Sequence, residues 1–190
     1  MANMHTYISM IRGINVSGQK MIKMTELKAL YESLRLTNVA TYIQSGNVVF
    51  QSGRNDPLAV GTSIEKAIEK SFGYSVTVVV RRPAEFRKVV IKCPFLGTTR
   101  MDESRLYVTF LKSRPPLSLV KTMALVTLKN ADTYEHTGNE IYLHCPNGYG
   151  KTLYSNNFFE KHLRVAATTR NWKTVRTLLA MSSGLETRHS

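Results

Sequence analysis

A chain of 190 residues, 43% of them apolar, is long enough for one domain or two small ones and apolar enough to bury a real core, as an ordinary soluble globular protein does. Its net charge is +13. Residues 1–95 hold 13 Lys/Arg against 6 Asp/Glu and residues 96–190 hold 13 against 7, so the basicity belongs to the fold and not to a tail. Such a charge either favours polyanions as partners, nucleic acid first among them, or only keeps the protein soluble.

Several classes fall away at once. The run Tyr7 to Ile11 is too short for a secretory h-region and meets Arg12 directly, and no stretch of about eighteen apolar residues occurs, so a cytoplasmic protein with no membrane partner is expected. Cys93 and Cys145 lie far apart and share no metal-ligand spacing with a histidine. Inert thiols are expected, with no disulfide framework, no metal and no cofactor.

In chain order, Thr6 to Arg12 reads as a strand and Thr25 as the N-cap of a helix whose Leu27, Leu30, Tyr31 and Leu34 form one stripe. Strands at Val39 to Ile43 and Val48 to Gln51 flank the turn Ser45-Gly46-Asn47. Asp56 as N-cap with Pro57 at the first helical position opens a second helix, and Gly73 stops it. Val76 to Arg81 completes β-α-β-β-α-β, a ferredoxin-like unit.

The second half repeats the order approximately. After a basic helix from Pro83 come a strand at Leu106 to Leu111, a helix marked by Leu117, Val120, Met123 and Ala124, and a hairpin of Thr133 to His136 with Ile141 to Cys145. A helix through Tyr154, Phe158, Phe159 and Leu163 follows, then a terminal helix that the polar run Thr168-Thr169-Arg170-Asn171-Trp172 opens. The fold class expected is α+β, a tandem duplication of two ferredoxin-like subdomains. Its parts are residues 1–82, a basic helix and connection over 83–104, and 105–190 with the terminal helix.

Three runs then carry a resemblance: Tyr7-Ile-Ser-Met-Ile-Arg-Gly-Ile-Asn-Val16, Tyr42-Ile-Gln-Ser-Gly-Asn-Val-Val-Phe50 and Thr168-Thr-Arg-Asn-Trp-Lys-Thr-Val175. Spaced over nearly the whole chain, they resemble the bacterial family catalogued as domain of unknown function 1697. The resemblance implies paired ferredoxin-like halves and a cytoplasmic bacterial setting. It transfers no activity.

Two polar islands define the candidate site. Arg12-Gly13-Ile14-Asn15 closes the first strand, and Thr168-Thr169-Arg170-Asn171-Trp172 opens the last helix. The structural alternative is that Gly13 and Gly46 serve positive-φ turns, Asn15 and Asn47 brace loops, Asn171 or Thr169 caps a helix and Trp172 anchors the core. On the functional reading, a guanidinium at Arg170 beside a helix N-terminus receives phosphate or carboxylate, and Arg12, Asn15, Arg170 and Asn171 approach one cleft between the halves, with Gln44 and Asn47 on its wall.

Other motifs are weaker. Cys145-Pro-Asn-Gly-Tyr-Gly-Lys-Thr152 ends as a P-loop does but begins with Cys145 where the loop needs glycine, and Pro146 removes an N–H. It is either a small anion-binding nest around Lys151 or a glycine-rich turn into a helix capped by Thr152. The five histidines have no triad or ligand spacing, and no general base stands out. Tyr7 and Phe50 invite comparison with base-stacking strands of RNA-recognition modules, without the matching Lys/Arg-Gly-Phe spacing. The expected activity is therefore binding of an anionic ligand, nucleic acid or a phosphorylated group; the alternative is a small enzyme acting on a phosphorylated or carboxylated metabolite between the halves.

Overall fold

The computed structural model describes residues 4–186 apart from 17, 98–101, 127, 129 and 130. Among these, two four-stranded antiparallel sheets and six α-helices form a mixed α+β fold. Part of the expected connection, 98–101, and His189 lie outside the described residues. The chain divides into two compact units: residues up to Lys88 together with those from Thr177 onward, and Val89–Arg176.

In the first unit, β1 (His5–Ile11), α1 (Met24–Ser33), β2 (Thr37–Tyr42), β3 (Asn47–Ser52), α2 (Pro57–Phe72) and β4 (Val78–Arg81) succeed one another. The sheet order is β2-β3-β1-β4, with Tyr7 opposite Phe50 and Ser9 opposite Val80. Both faces of β1 are buried, which is why it reads as a continuous apolar run instead of an alternation: Tyr7 and Ile11 join Leu27, Tyr31, Ile64 and Ile68, while Ile8 and Met10 on the opposite face are also 0% exposed. Each such side chain contributes about 1.5–3 kcal/mol by leaving water.

α2 begins and ends where its sequence signals stand. The Asp56 carboxylate accepts the Leu58 N–H at 2.9 Å, Pro57 occupies the first turn, and Gly73 closes the helix at φ +72°. α1 differs: Thr25 lies inside the helix, because the Leu27 N–H already reaches the Lys23 carbonyl, and Lys23 caps without a side-chain bond.

α3 (Pro83–Ile91) leads toward the second unit, which holds β5 (Leu106–Leu111), α4 (Leu117–Ala124), β6 (Thr133–Thr137), β7 (Glu140–His144), α5 (Asn156–Leu163), β8 (Ala167–Asn171) and the first turns of α6 (Trp172–Glu186). Its sheet runs β6-β7-β5-β8, the same arrangement as the first. Leu111, Ile141, Leu143, Phe159, Leu163 and Ala167 form the core beneath its helices.

Two local expectations are corrected here. The run Thr168 to Asn171 does not open a helix but forms β8, paired along β5 from Tyr107↔Asn171 to Leu111↔Ala167. Tyr154 precedes α5, whose cap is Ser155 through its bond from the Phe158 N–H, so Thr152 is not the cap. No helix among the described residues is long and apolar enough to cross a membrane.

Candidate functional site

At the end of β1 the chain turns through Gly13 (φ +70°) and Asn15 (φ +54°). The Asn15 side chain is the hub of this loop: its Nδ2 donates to the Ile22 and Gln44 carbonyls at 2.9 and 2.8 Å, and its Oδ1 accepts the Ile22 N–H at 2.8 Å. The neighbouring turn is held just as closely. A Cβ on Gly46 would lie 2.8 Å from Ile14 Cδ1 and 2.9 Å from Ile11 Cβ, at φ +70°, so only glycine fits. Asn47 is fully buried and donates to the Tyr42 carbonyl and to Ser45 Oγ.

Arg12, Asn15, Gln44 and Asn47 are thus one cluster, and the asparagines hold it together. Arg12, half-buried, is tied by its N–H to the Thr77 carbonyl, and the Gln44 side chain is exposed. Beside Gln44, Ile43 adopts φ +48°, a left-handed conformation that costs a β-branched residue about 1–2 kcal/mol.

In the second unit, Arg170 lies within β8 opposite Val108, so its backbone belongs to a sheet ladder and not to a helix N-terminus. Its guanidinium is buried and donates through Nη1 to Thr168 Oγ1 and to the Thr169 carbonyl, both at 2.8 Å. Burial brings its pKa down to about 10. Asn171 caps α6, its Oδ1 accepting the Thr174 N–H at 2.8 Å. Trp172 is 2% exposed.

Sequence reasoning missed a polar hub on the helix side of this sheet. Thr169 Oγ1 meets Thr109 Oγ1 at 2.7 Å, accepts from the Tyr149 hydroxyl at 3.0 Å and donates to Asn156 Oδ1 at 2.7 Å. Nothing in the spacing of a threonine, a tyrosine and an asparagine signals it. The glycine-rich turn between β7 and α5 folds upon itself: the N–H groups of Gly148, Lys151 and Thr152 donate to the carbonyls of Cys145, Gly148 and Tyr149. Those donors are spent within the turn, and the loop leads from β7 of an antiparallel sheet into α5, so it is not a P-loop; Lys151 is exposed at its end.

The basic segment around α3 is more asymmetric than its composition. Arg81 is 4% exposed, with Nε 3.8 Å from Glu85. The Glu85 carboxylate also accepts the Arg82 N–H at 2.7 Å, which turns the only acid of the segment toward the start of the helix. Arg87, Lys88 and Ile91 are exposed on the helix, and Lys92 is exposed in the turn that follows. Tyr7 and Phe50, compared above with base-stacking aromatics, are instead 0% exposed, with the Phe50 ring 5.8 Å from that of Tyr7 and 5.3 Å from that of Tyr31. They are core, because their faces of β1 and β3 point at the helices.

Both thiols are buried; burial pushes Cys145 up to about 11 and raises Cys93 as well. No group of three or more metal-ligating side chains occurs among the described residues.

No curated protein matches the chain. Among solved structures, the conserved bacterial protein SP0830 from Streptococcus pneumoniae is similar over 94% of this chain and 99% of its own, at 22% identity and a TM-score of 0.72, a likeness of fold. Residues 4–142, well over half of the chain and including the loops around Asn15 and Gly46, match the family described as Protein of unknown function (DUF1697), and the chain belongs to that family.

Proposed function

We propose that the protein binds polyanions, with nucleic acid as the leading class, through backbone phosphates and not through base stacking. One observation carries this reading: α3 presents exposed Arg87 and Lys88, and exposed Lys92 follows it directly, while Glu85 is turned away toward Arg81 and the Arg82 N–H. Cations grouped on one helical face release counterions from a phosphate backbone, and the net charge of +13 adds long-range attraction. The burial of Tyr7 and Phe50 favours phosphate contacts over base readout. Arg12 and Gln44 beside the first sheet and Lys151 after β7 are assigned as accessory contacts; Asn15, Asn47, Arg170 and Asn171 support the loops and strands that carry them.

The test is fluorescence anisotropy of labelled mixed-sequence RNA and DNA oligomers between about 50 and 200 mM salt. Three phosphate contacts to a single strand give a log–log slope of about −2, a roughly twenty-fold loss of affinity over that range. The triple variant Arg87→Ala, Lys88→Ala, Lys92→Ala flattens the slope by about that amount. Absence of binding at the lowest salt, or an unchanged slope in the triple variant, rejects the reading.

The same proposal extends to history and place. Two units with the orders β2-β3-β1-β4 and β6-β7-β5-β8 support a tandem duplication of a ferredoxin-like ancestor; a cytoplasmic bacterial setting is proposed with it from the family resemblance.

A further inference from the structure

The two sheets have equivalent outer strands, β2 in the first and β6 in the second, and only one of them is blunted. β2 loses its register against β3 between Thr37 and Ala40, where Asn38 adopts φ +51° and is pinned by its bond to Gln51 Oε1. A break of that kind turns an edge away from an incoming strand. β6 keeps an unbroken register with β7 from Thr133↔His144 to Thr137↔Glu140. Its sequence, Thr-Tyr-Glu-His-Thr, favours extended backbone and contains neither proline nor glycine.

Alternate residues of an outer strand point their N–H and C=O groups away from the sheet. Among the described residues, no backbone group of Thr133–Thr137 bonds outside the β6–β7 hairpin. Such an edge accepts an extended segment by strand addition, in which main-chain bonds give affinity and side chains give specificity. Thr133, Glu135 and Thr137 share one face of β6 and are exposed. In a chain with 26 Lys/Arg against 13 Asp/Glu, Glu135 stands in the middle of this edge in no ion pair among the described residues. Two copies of β6 pairing antiparallel along their full length would set Glu135 opposite Glu135, which like charge opposes. Sliding the strands by one residue would turn one of them over, and sliding by two would leave only Thr133–Glu135 or Glu135–Thr137 paired.

We propose that the outer edge of β6 docks an extended protein segment carrying a lysine or arginine opposite Glu135, and that Glu135 keeps a second copy of the chain off the same edge. One carboxylate does both, since the charge that attracts a basic strand repels its own image. This edge does not depend on the cations of α3.

The test is sedimentation velocity of the intact protein, with the Glu135→Lys variant supplying the basic strand. Parent and variant alone each associate weakly, because equal charges meet at the edge. Their equimolar mixture associates about tenfold more tightly than either alone, the effect of exchanging like-charge pairs for an opposite-charge pair, and added salt reduces the difference. Hydrogen exchange on mixing slows in β6 and not in β2. Glu135→Thr, which removes the repulsion without adding a charge, associates with itself more tightly than the parent does, and it carries the test if Glu135→Lys does not fold. A mixture that associates no more tightly than its components, exchange in β6 unchanged on mixing, or a Glu135→Thr protein that self-associates no more than the parent overturns it.

Discussion

His136 illustrates how one side chain can make stability depend on pH. It lies on β6, its Nε2 is buried without a hydrogen-bond partner, and burial lowers its pKa, with Arg114 acting in the same direction and a backbone bond at Gly138 opposing. An unfolded histidine takes its proton near pH 6.5, before folded His136 does. The unfolded state therefore binds more protons as pH falls through that value, and stability declines from about pH 7 toward the lower folded pKa. Urea denaturation at a series of pH values measures this, and His136→Gln reduces the acid-side slope. A slope identical in the variant would assign the effect elsewhere. At this scale the sequence is an uneven guide: an asparagine beside a glycine turn announces a brace, as Asn15 and Asn47 prove to be, whereas the environment of His136 depends on what packs over an edge strand.

Elements differ in how much of themselves they display. α2 was legible end to end because Asp56, Pro57 and Gly73 are local devices whose physics needs no partner. β8 was hidden because Ala167-Thr168-Thr169-Arg170-Asn171 offers no apolar alternation; its position rests on pairing with β5 and on a hydroxyl network. That network ties β5, β8, α5 and the turn at Tyr149 through one oxygen. Thr169→Val keeps the shape but leaves the Tyr149 hydroxyl and Asn156 Oδ1 short of a partner, an expected loss of about 1–3 kcal/mol. Thr109→Val should cost less, since Thr109 contributes a single bond. In a double-mutant cycle by chemical denaturation the two losses fall short of additivity, because they share that bond; additive losses would mean the hydroxyls do not couple.

On the scale of the whole molecule, the first unit is made of two stretches of chain, and no local signal marks the point near Thr177 where α6 joins it. Leu178 and Ser182 are fully buried, and the Leu185 carbonyl accepts from Gln51 Nε2 across 134 residues of sequence. A chain stopped after Arg176 keeps Trp172, Thr174 and Val175 but loses these groups. Hydrogen exchange should then quicken in β1 and β3 while β5 and β8 keep their protection; equal protection in both sheets would show that the helix end is dispensable. The same division bears on birth at the ribosome. Lys88 emerges well before Thr177, and at about 5–20 residues per second the intervening stretch of roughly 90 residues takes on the order of 4–18 s to synthesise. During that interval the nascent first unit holds its sheet strands but lacks the buried Leu178 and Ser182 and the Leu185 carbonyl that meets Gln51, so its sheet is completed only after the later unit has been made.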